Sequence, residues 1–326
     1  MKKPAALLLS LVLAAALGGC TAADTDTDFA GADINIAVMS GPTGVGAVSL
    51  MEADDAGDTV NNYNFTVAAA NDEIVSGLSS GEFDIAAIAT NVAANLYNKT
   101  NGSVQMCALN TYGVLYILEN GDTVTDISDL AGRTIYATGQ GANPEYVLNY
   151  ILAENGLTPG EDVTIEFMDS AALVTQMASG SIDLCMLPVP AATTVTMQNT
   201  AVRTALDLTE EWNSVTDEGV LTMGSVVVRR DFAAANPEAV STFLQEYAAS
   251  IAAVQEDAEH AAQLCETYGI VPKAAVAARA IPLCNLCCVT GADIQPAIEP
   301  YYNVLYTANP AAIGGAIPDA DFYLVP

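Results

Sequence analysis

Short apolar runs recur along this chain, each closed by a polar or glycine-containing turn and followed by a stretch whose apolar residues keep helical spacing. The first is "VMSGPTGVGAVSLM", Val38 to Met51, a strand-like run, a Gly-Pro-Thr-Gly turn and an apolar-periodic segment. A related pattern returns later. "EIVSGLSSGEFDIAAIATNVAANL" from Glu73 aligns with "ALVTQMASGSIDLCMLPVPAATTV" from Ala172, so that Gly81 matches Gly180 and Asp84 matches Asp183. Under nearly the same shift, the turn Gly41 to Gly44 falls on Gly139 to Ala142. Each half reads as strand, glycine turn, helix, strand, helix, a Gly-x-Phe/Ile-Asp turn and a buried strand ending in a polar or proline-rich loop. This alternation predicts an α/β protein with two lobes and mainly parallel sheets.

Extended runs at Thr111 to Leu118 and within "GVLTMGSVVVRRDFAAANPEAV" read as two crossover strands that join the lobes. The boundaries expected are 33–113 with 224–326 for lobe 1 and 114–223 for lobe 2, and the crossovers at Gly113 to Leu118 and Thr222 to Val228 are expected to act as a hinge. Beyond them, Asn236 as cap, Pro237 in the first turn and a stripe of Val240, Phe243, Leu244, Tyr247, Ile251 and Val254 predict a long amphipathic helix.

The glycine turns are not nucleotide loops. Gly41 and Gly46 have the spacing of a P-loop, but Ala47 stands where the phosphate lysine belongs, and neither this turn nor "GQGANP" at Gly139 to Pro144 completes a dinucleotide fingerprint. In open α/β sheets ligands collect outside the carboxyl ends of the strands, where both turns lie.

Charge narrows the partners. The 326-residue chain has a formal net charge of −30 with nine Lys+Arg, of which Lys2 and Lys3 lie in the leading segment. That balance speaks against nucleic acid and anionic lipid. The leading segment itself, two lysines, "PAALLLSLVLAAA" and "LGGC", reads as a secretory signal over 1–19, and the small residues before Cys20 resemble the lipobox of bacterial lipoproteins. Lipidation of Cys20 would hold an exported protein at the outer face of the cytoplasmic membrane. Residues 20–32 read as a flexible acidic tether, since Asp24, Asp26 and Asp28 lack the glycine and glutamate of a calcium loop.

Cys107 and Cys185 lie in apolar runs and Cys265 in a helical pattern, so they read as small buried hydrophobes. "CNLCC", with Cys284, Cys287 and Cys288, is the exception that leaves a metal or redox reading open, although a zinc site wants a second pair and the one histidine, His260, sits in a polar stretch.

The lipobox, "GPTGVG", "SGEFDIAAIATN", "ISDLAGRTIYATGQGANPEYVLNYILAENGL", "MASGSIDLCMLPVPAAT", "DLTEEWN" and "VVVRRDFAAANPEAVSTFLQEY", in this order, resemble the solute-binding lipoproteins of ABC importers of the nitrate/sulfonate/taurine and pyrimidine-precursor (thiamin pyrimidine synthase-like) type. The resemblance runs from Cys20 to the C-terminus. It implies a two-lobed periplasmic-binding-protein-like fold (type II), no catalysis and no cofactor. It also implies a monomer that captures a small-molecule solute and delivers it to a membrane ABC permease, whose ATPase works on the other side. A ligand-sensing partner of a membrane receptor would use the same fold.

The binding chemistry expected is backbone N–H groups at helix starts, in the turns Ser40-Gly41-Pro42-Thr43-Gly44 and Gly139 to Asn143, where Gln140, Gly141, Ala142 and Asn143 lie. Each helix end supplies roughly 0.3–1 kcal/mol, whereas micromolar binding needs about 8 kcal/mol. Side chains must therefore add most of the affinity. Thr90 and Asn91, the Pro188-Val189-Pro190 loop, and Tyr112 and Met223 at the crossovers are the candidates, with Tyr116 expected in the core and Trp212 expected to pack under a loop. Proline at Gly44 or Gly141 is expected to weaken binding and spare the fold. Few cations surround these residues, so an organic solute, heterocyclic or with one polar or anionic end, is favoured over a bare oxyanion.

Overall fold

A computed structural model describes residues 29–216 and 220–325. The signal segment, Cys20 and the tether as far as residue 28 lie outside the described residues. The first half contains strands β1 (Asp33–Met39), β2 (Asn62–Ala68), β3 (Ile85–Ala89) and β4 (Val104–Tyr112), with helices α1 (Pro42–Val45), α2 (Val48–Ala56), α3 (Asn71–Ser80) and α4 (Thr90–Lys99) between them. Next come β5 (Leu115–Asn120), β6 (Thr134–Ala137), α5 (Asn143–Glu154), β7 (Thr164–Phe167), α6 (Ser170–Ser179), β8 (Leu184–Pro188), α7 (Ala191–Gln198), β9 (Val202–Asp207) and α8 (Leu208–Val215). The chain continues through β10 (Thr222–Arg229), α9 (Arg230–Ala235), α10 (Pro237–Glu256), α11 (Ala258–Thr267), α12 (Ala274–Ala280), β11 (Leu286–Thr290) and α13 (Ile294–Ala308).

The strands sort into two sheets, β11-β4-β10-β3-β1-β2 and β7-β6-β8-β5-β9. Parallel pairing is confined to three strands in each, β2, β1 and β3 in one and β7, β6 and β8 in the other. The expectation of mainly parallel sheets is corrected by β10 and β5, which run antiparallel to both neighbours. Each arrives from the opposite lobe and inserts beside the last parallel strand with no helical crossover to reverse it. The internal duplication is visible in the helix ends. Gly81 and Gly180 terminate α3 and α6 in the left-handed conformation, at φ 82° and 72°.

The lobes are joined by more than two strands. The first crossover is short, Gly113 and Val114 between β4 and β5. The second leaves α8 and enters β10, which lies wholly in the first sheet, so the linking residues precede Thr222. Two apolar clusters then run on from one lobe into the other: Ile36, Val38 and Val226 continue into Val114, Tyr116 and Leu187, and Ala37, Ile88 and Tyr301 into Ile117, Met186 and Trp212. The C-terminal elements cause much of this continuity. Tyr301 of α13 meets Trp212 of α8 edge-on at 5.6 Å between ring centroids, and Trp212 lies 4.8 Å from Tyr150 of α5. Asn309 donates to the Tyr146 hydroxyl at 3.0 Å, and Tyr116 donates to the carbonyl of Leu283 at 3.2 Å. In this structure the two lobes, whose crossovers were expected to act as a hinge, meet on a shared apolar interface.

Candidate functional site

The first glycine turn is a structural joint. Its four-residue helix α1 is too short to align many peptide dipoles, and Pro42 carries no N–H. Ser40 N–H donates to Ala68 O at 3.0 Å, Gly41 N–H to Ile270 O at 2.9 Å, and Gly44 N–H to Gly41 O at 3.0 Å. The N–H groups of Ser40, Gly41 and Gly44 are therefore engaged by the protein, and Asn110 donates to the carbonyl of Thr43 at 2.9 Å. Ser40 is exposed, Pro42 and Thr43 are half-buried, and Gly41 and Gly44 are buried. A Cβ on Gly44 would fall 2.2 Å from Met39 O, so the expectation that Gly44→Pro spares the fold is corrected by steric contact with backbone.

The second turn stands differently. Gly139 and Gly141 take φ of 83° and 72°, a region open to glycine at little strain. Ala142 N–H donates to Gly139 O at 3.1 Å, and the twelve-residue α5 follows. Gly141 N–H is held by the carboxylate of Glu145, which occupies the place where an anionic ligand was expected. Gln140 is exposed and Ala142 half-buried, whereas Asn143, the first residue of α5, is buried.

Asn143 meets the other lobe. Its Nδ2 donates to Thr90 Oγ1 at 3.4 Å, and Thr90 Oγ1 donates to the carbonyl of Thr222 at 2.9 Å. Thr90 opens α4 at the end of β3, and Tyr302 of α13 donates to its carbonyl at 2.9 Å. One buried polar seam thus gathers the β3–α4 turn, the β6–α5 turn, the start of β10 and the C-terminal helix. It is incompletely satisfied: Asn143 Oδ1 and Thr222 Oγ1 are buried without a partner. The Tyr301 hydroxyl lies beside Thr90 but outside hydrogen-bonding geometry.

Next to this seam lies a cavity of about 610 Å³, lined from lobe 1 by Asn71, Asn91 and Asn95 and from lobe 2 by Gly141 and Tyr146. Lys99 is the one basic residue among those lining it. Tyr146 donates to Gly141 O at 3.2 Å and fixes the turn from inside the lobe.

Of the residues singled out in the sequence, the structure brings together Thr90, Asn91, Gly141 and Asn143. Met223 is half-buried against both apolar clusters, directly after Thr222. Val189 is fully buried, its N–H donating to Val114 O at 3.0 Å, so it serves the core where a ligand contact was expected. Pro188 ends β8, paired with Leu115. Tyr112 turns to the other side of its strand, where it lines a separate cavity with Gln255, Asn285 and Leu286. Burial and the neighbouring Cys287 raise its hydroxyl above the usual tyrosine value. Tyr116 is core, as expected, and Trp212 is buried between Tyr150 and Tyr301.

Sequence reasoning missed Asn110, Thr222, Asn71 and the α13 residue Tyr302. Asn110 and Thr111 carried a usable signal, two polar residues at the end of the otherwise apolar run "CAL" in β4. Tyr302 carried none, because its helix is remote in sequence.

The cysteine cluster disperses on folding. Cys284 neighbours Cys265, Cys287 faces Tyr112, and Cys288 lies near Cys107. All six described cysteines are free thiols. Burial raises every one of them, those of Cys185, Cys265, Cys284 and Cys287 to about 12, which keeps them protonated. Among the described residues no group of three or more His, Cys, Asp or Glu is placed to hold a metal.

Residues 104–261, from the start of β4 into α11, match a family model described as NMT1/THI5 like. No curated protein matches the chain. Among solved structures it is similar to an ABC transporter protein from Parabacteroides distasonis, with 20% identity and a TM-score of 0.75 over 90% of this chain and 98% of that one. It is also similar to the periplasmic aliphatic sulphonate binding protein SsuA of Escherichia coli, with 16% identity and a TM-score of 0.69 over 85% and 92%. A third is a putative periplasmic sulfonate-binding protein from Methylobacillus flagellatus, with 18% identity and a TM-score of 0.66 over 90% and 91%. These likenesses show the fold, the two-lobed α/β architecture of periplasmic binding proteins.

Proposed function

We propose, from the premise that the chain carries an NMT1/THI5-like segment on a periplasmic-binding-protein-like fold, that it is an extracytoplasmic solute-binding lipoprotein of an ABC importer. One observation carries the reading: turns from both lobes converge on the buried Asn143–Thr90–Thr222 seam beside a cavity that both lobes line. A solute touching both walls favours the closed arrangement over an open one, because only differential affinity shifts such an equilibrium. The bound solute is a small organic molecule. Cys20 provides the anchor, the permease receives the loaded protein as a monomer, and no covalent step is assigned to any residue.

Native mass spectrometry of the protein purified from its own host tests the capture reading. The expected result is one retained small molecule per chain; a protein that retains nothing and is stabilised by no solute counts against it. Cys20→Ala tests the anchor separately, with release from the membrane fraction expected.

A further inference from the structure

The first connection between the lobes is gripped from both sides at adjacent peptides. Asn285, in the loop between α12 and β11, takes φ 45°, a left-handed backbone that asparagine adopts more readily than most residues. In that conformation its carbonyl accepts from the Tyr112 N–H at 3.0 Å, and its Nδ2 donates to the carbonyl of Gly113 at 2.6 Å. The loop belongs to lobe 1, through β11 and through Gln255 of α10, which donates to Leu286 O at 2.9 Å. At the next peptide the grip passes to lobe 2: the carbonyl of Val114 accepts from the Val189 N–H at 3.0 Å. The planar peptide that carries Gly113 O is thus tied to lobe 1, and the one that carries Val114 O to lobe 2. The torsions φ and ψ of Val114 lie between them. The second connection passes the same point, since a Cβ on Gly113 would fall 2.9 Å from Leu221, the residue before β10, and 2.2 Å from Thr209 of α8. Tyr116 of lobe 2 also reaches the Asn285 loop, but through a hydroxyl bonded to Leu283 O, on a side chain that can turn with its lobe.

We infer that Asn285 is a positioning residue for solute capture, confining the bend of the first connection to the two torsions of Val114. A hinge works through a few residues that absorb the change in φ and ψ while their neighbours stay fixed. Without the Nδ2 bond the torsions of Gly113, unrestrained by a Cβ, join the pivot, and the lobes part along many paths where they had one. The inference rests on the capture reading and deepens it, because lobes that bend about one residue bring the same two walls together each time.

The sole tryptophan, Trp212, 1% exposed and stacked between Tyr150 and Tyr301 where the lobes meet, reports their separation without a label. Acrylamide quenching of Trp212 and small-angle scattering on the dialysed protein, below its urea transition, test the inference. Asn285→Gly keeps the left-handed backbone and loses the donor; Asn285→Asp keeps the shape and loses the donor. Both are expected to raise the open population, about tenfold for one residue's backbone set free, seen as stronger quenching and a larger radius of gyration. Gln255→Leu is the control. It removes a bond from the same loop without touching the connection, so it lowers the urea midpoint and leaves quenching and scattering unchanged. Wild-type quenching in both Asn285 variants overturns the inference. So does an equal rise in Gln255→Leu, which would make packing of the loop the cause. Neither result bears on capture, which stands or falls on the molecule retained in native mass spectrometry.

Discussion

The two glycine turns occupy corresponding places in a duplicated pattern, yet they do different work. Around Ser40 to Gly44 the N–H groups of Ser40, Gly41 and Gly44 are engaged by Ala68, Ile270 and Gly41, and the Gly41 bond ties the turn to the loop between α11 and α12. Around Gly139 to Asn143 the Gly141 N–H is held within the turn by the Glu145 carboxylate, and Asn143 faces the other lobe through Thr90. Duplication has preserved the path of the chain and not the employment of its hydrogen bonds. A turn at the end of a parallel strand is therefore a candidate site only after its donors have been accounted for.

The largest effect that could break this comparison is Gly44→Pro, which loses the Gly44 N–H bond and meets Met39 O. A loss of about 3 kcal/mol or more is expected in denaturant unfolding. Gly141→Ala meets no neighbour and carries only the strain of its positive φ, about 1–2 kcal/mol. If the two cost the same, the turns are not distinct in the way described.

An intermediate effect is expected in lobe 2. Glu119 is buried and takes bonds from Thr123, from the N–H of Val124 and from Arg203, whose NH2 lies 2.6 Å away. Burial alone would raise its pKa, but the Thr123 hydroxyl, the Val124 and Thr123 N–H groups and Arg203 lower it below the usual glutamate value. Glu119→Ala should cost about 1–3 kcal/mol, since Arg203 remains partly solvated.

The smallest effect sharpens the contrast between lobes through pH. The lowered Glu119 contributes stability that is present above the unfolded glutamate value, about 4.3, and is lost as pH falls through its folded value. His260 of α11 is held 2.8 Å from Glu52 of α2, and that hydrogen bond raises its pKa. Its contribution is full below the unfolded value, about 6.5, and is lost as pH rises through the raised folded value. Melting across pH 3 to 9 should show the acid-side slope diminished in Glu119→Gln and the slight alkaline-side slope removed in His260→Gln. Unchanged slopes would sever these pairs from stability.

The alternation of elements, the repeat and the amphipathic α10 were legible because periodicity reports which face of an element is buried. Val240, Phe243 and Tyr247 all point into the core as their spacing predicts. Strand direction was not legible in β5 and β10, since an apolar run packs equally well either way. The convergence of the turns was legible where a residue sits at a strand end, as with Thr90 and Asn143. It was misread where a strand-end residue turned inward, as with Val189, or took the opposite side of the sheet, as with Tyr112. No local pattern announces such choices; they follow from which neighbour arrives, and Ile270 and Leu283 arrive from far along the chain.

The buried seam also sets a schedule. Thr90, Asn143, Thr222 and Tyr302 enter it in that order from the N-terminus, and Asn309 closes on Tyr146 after them. A chain that emerges progressively, from a ribosome or through a translocation pore, has both sheets available before it has α13. The half-emerged protein can fold its lobes but not latch them, so competence to close arrives only with the last helix.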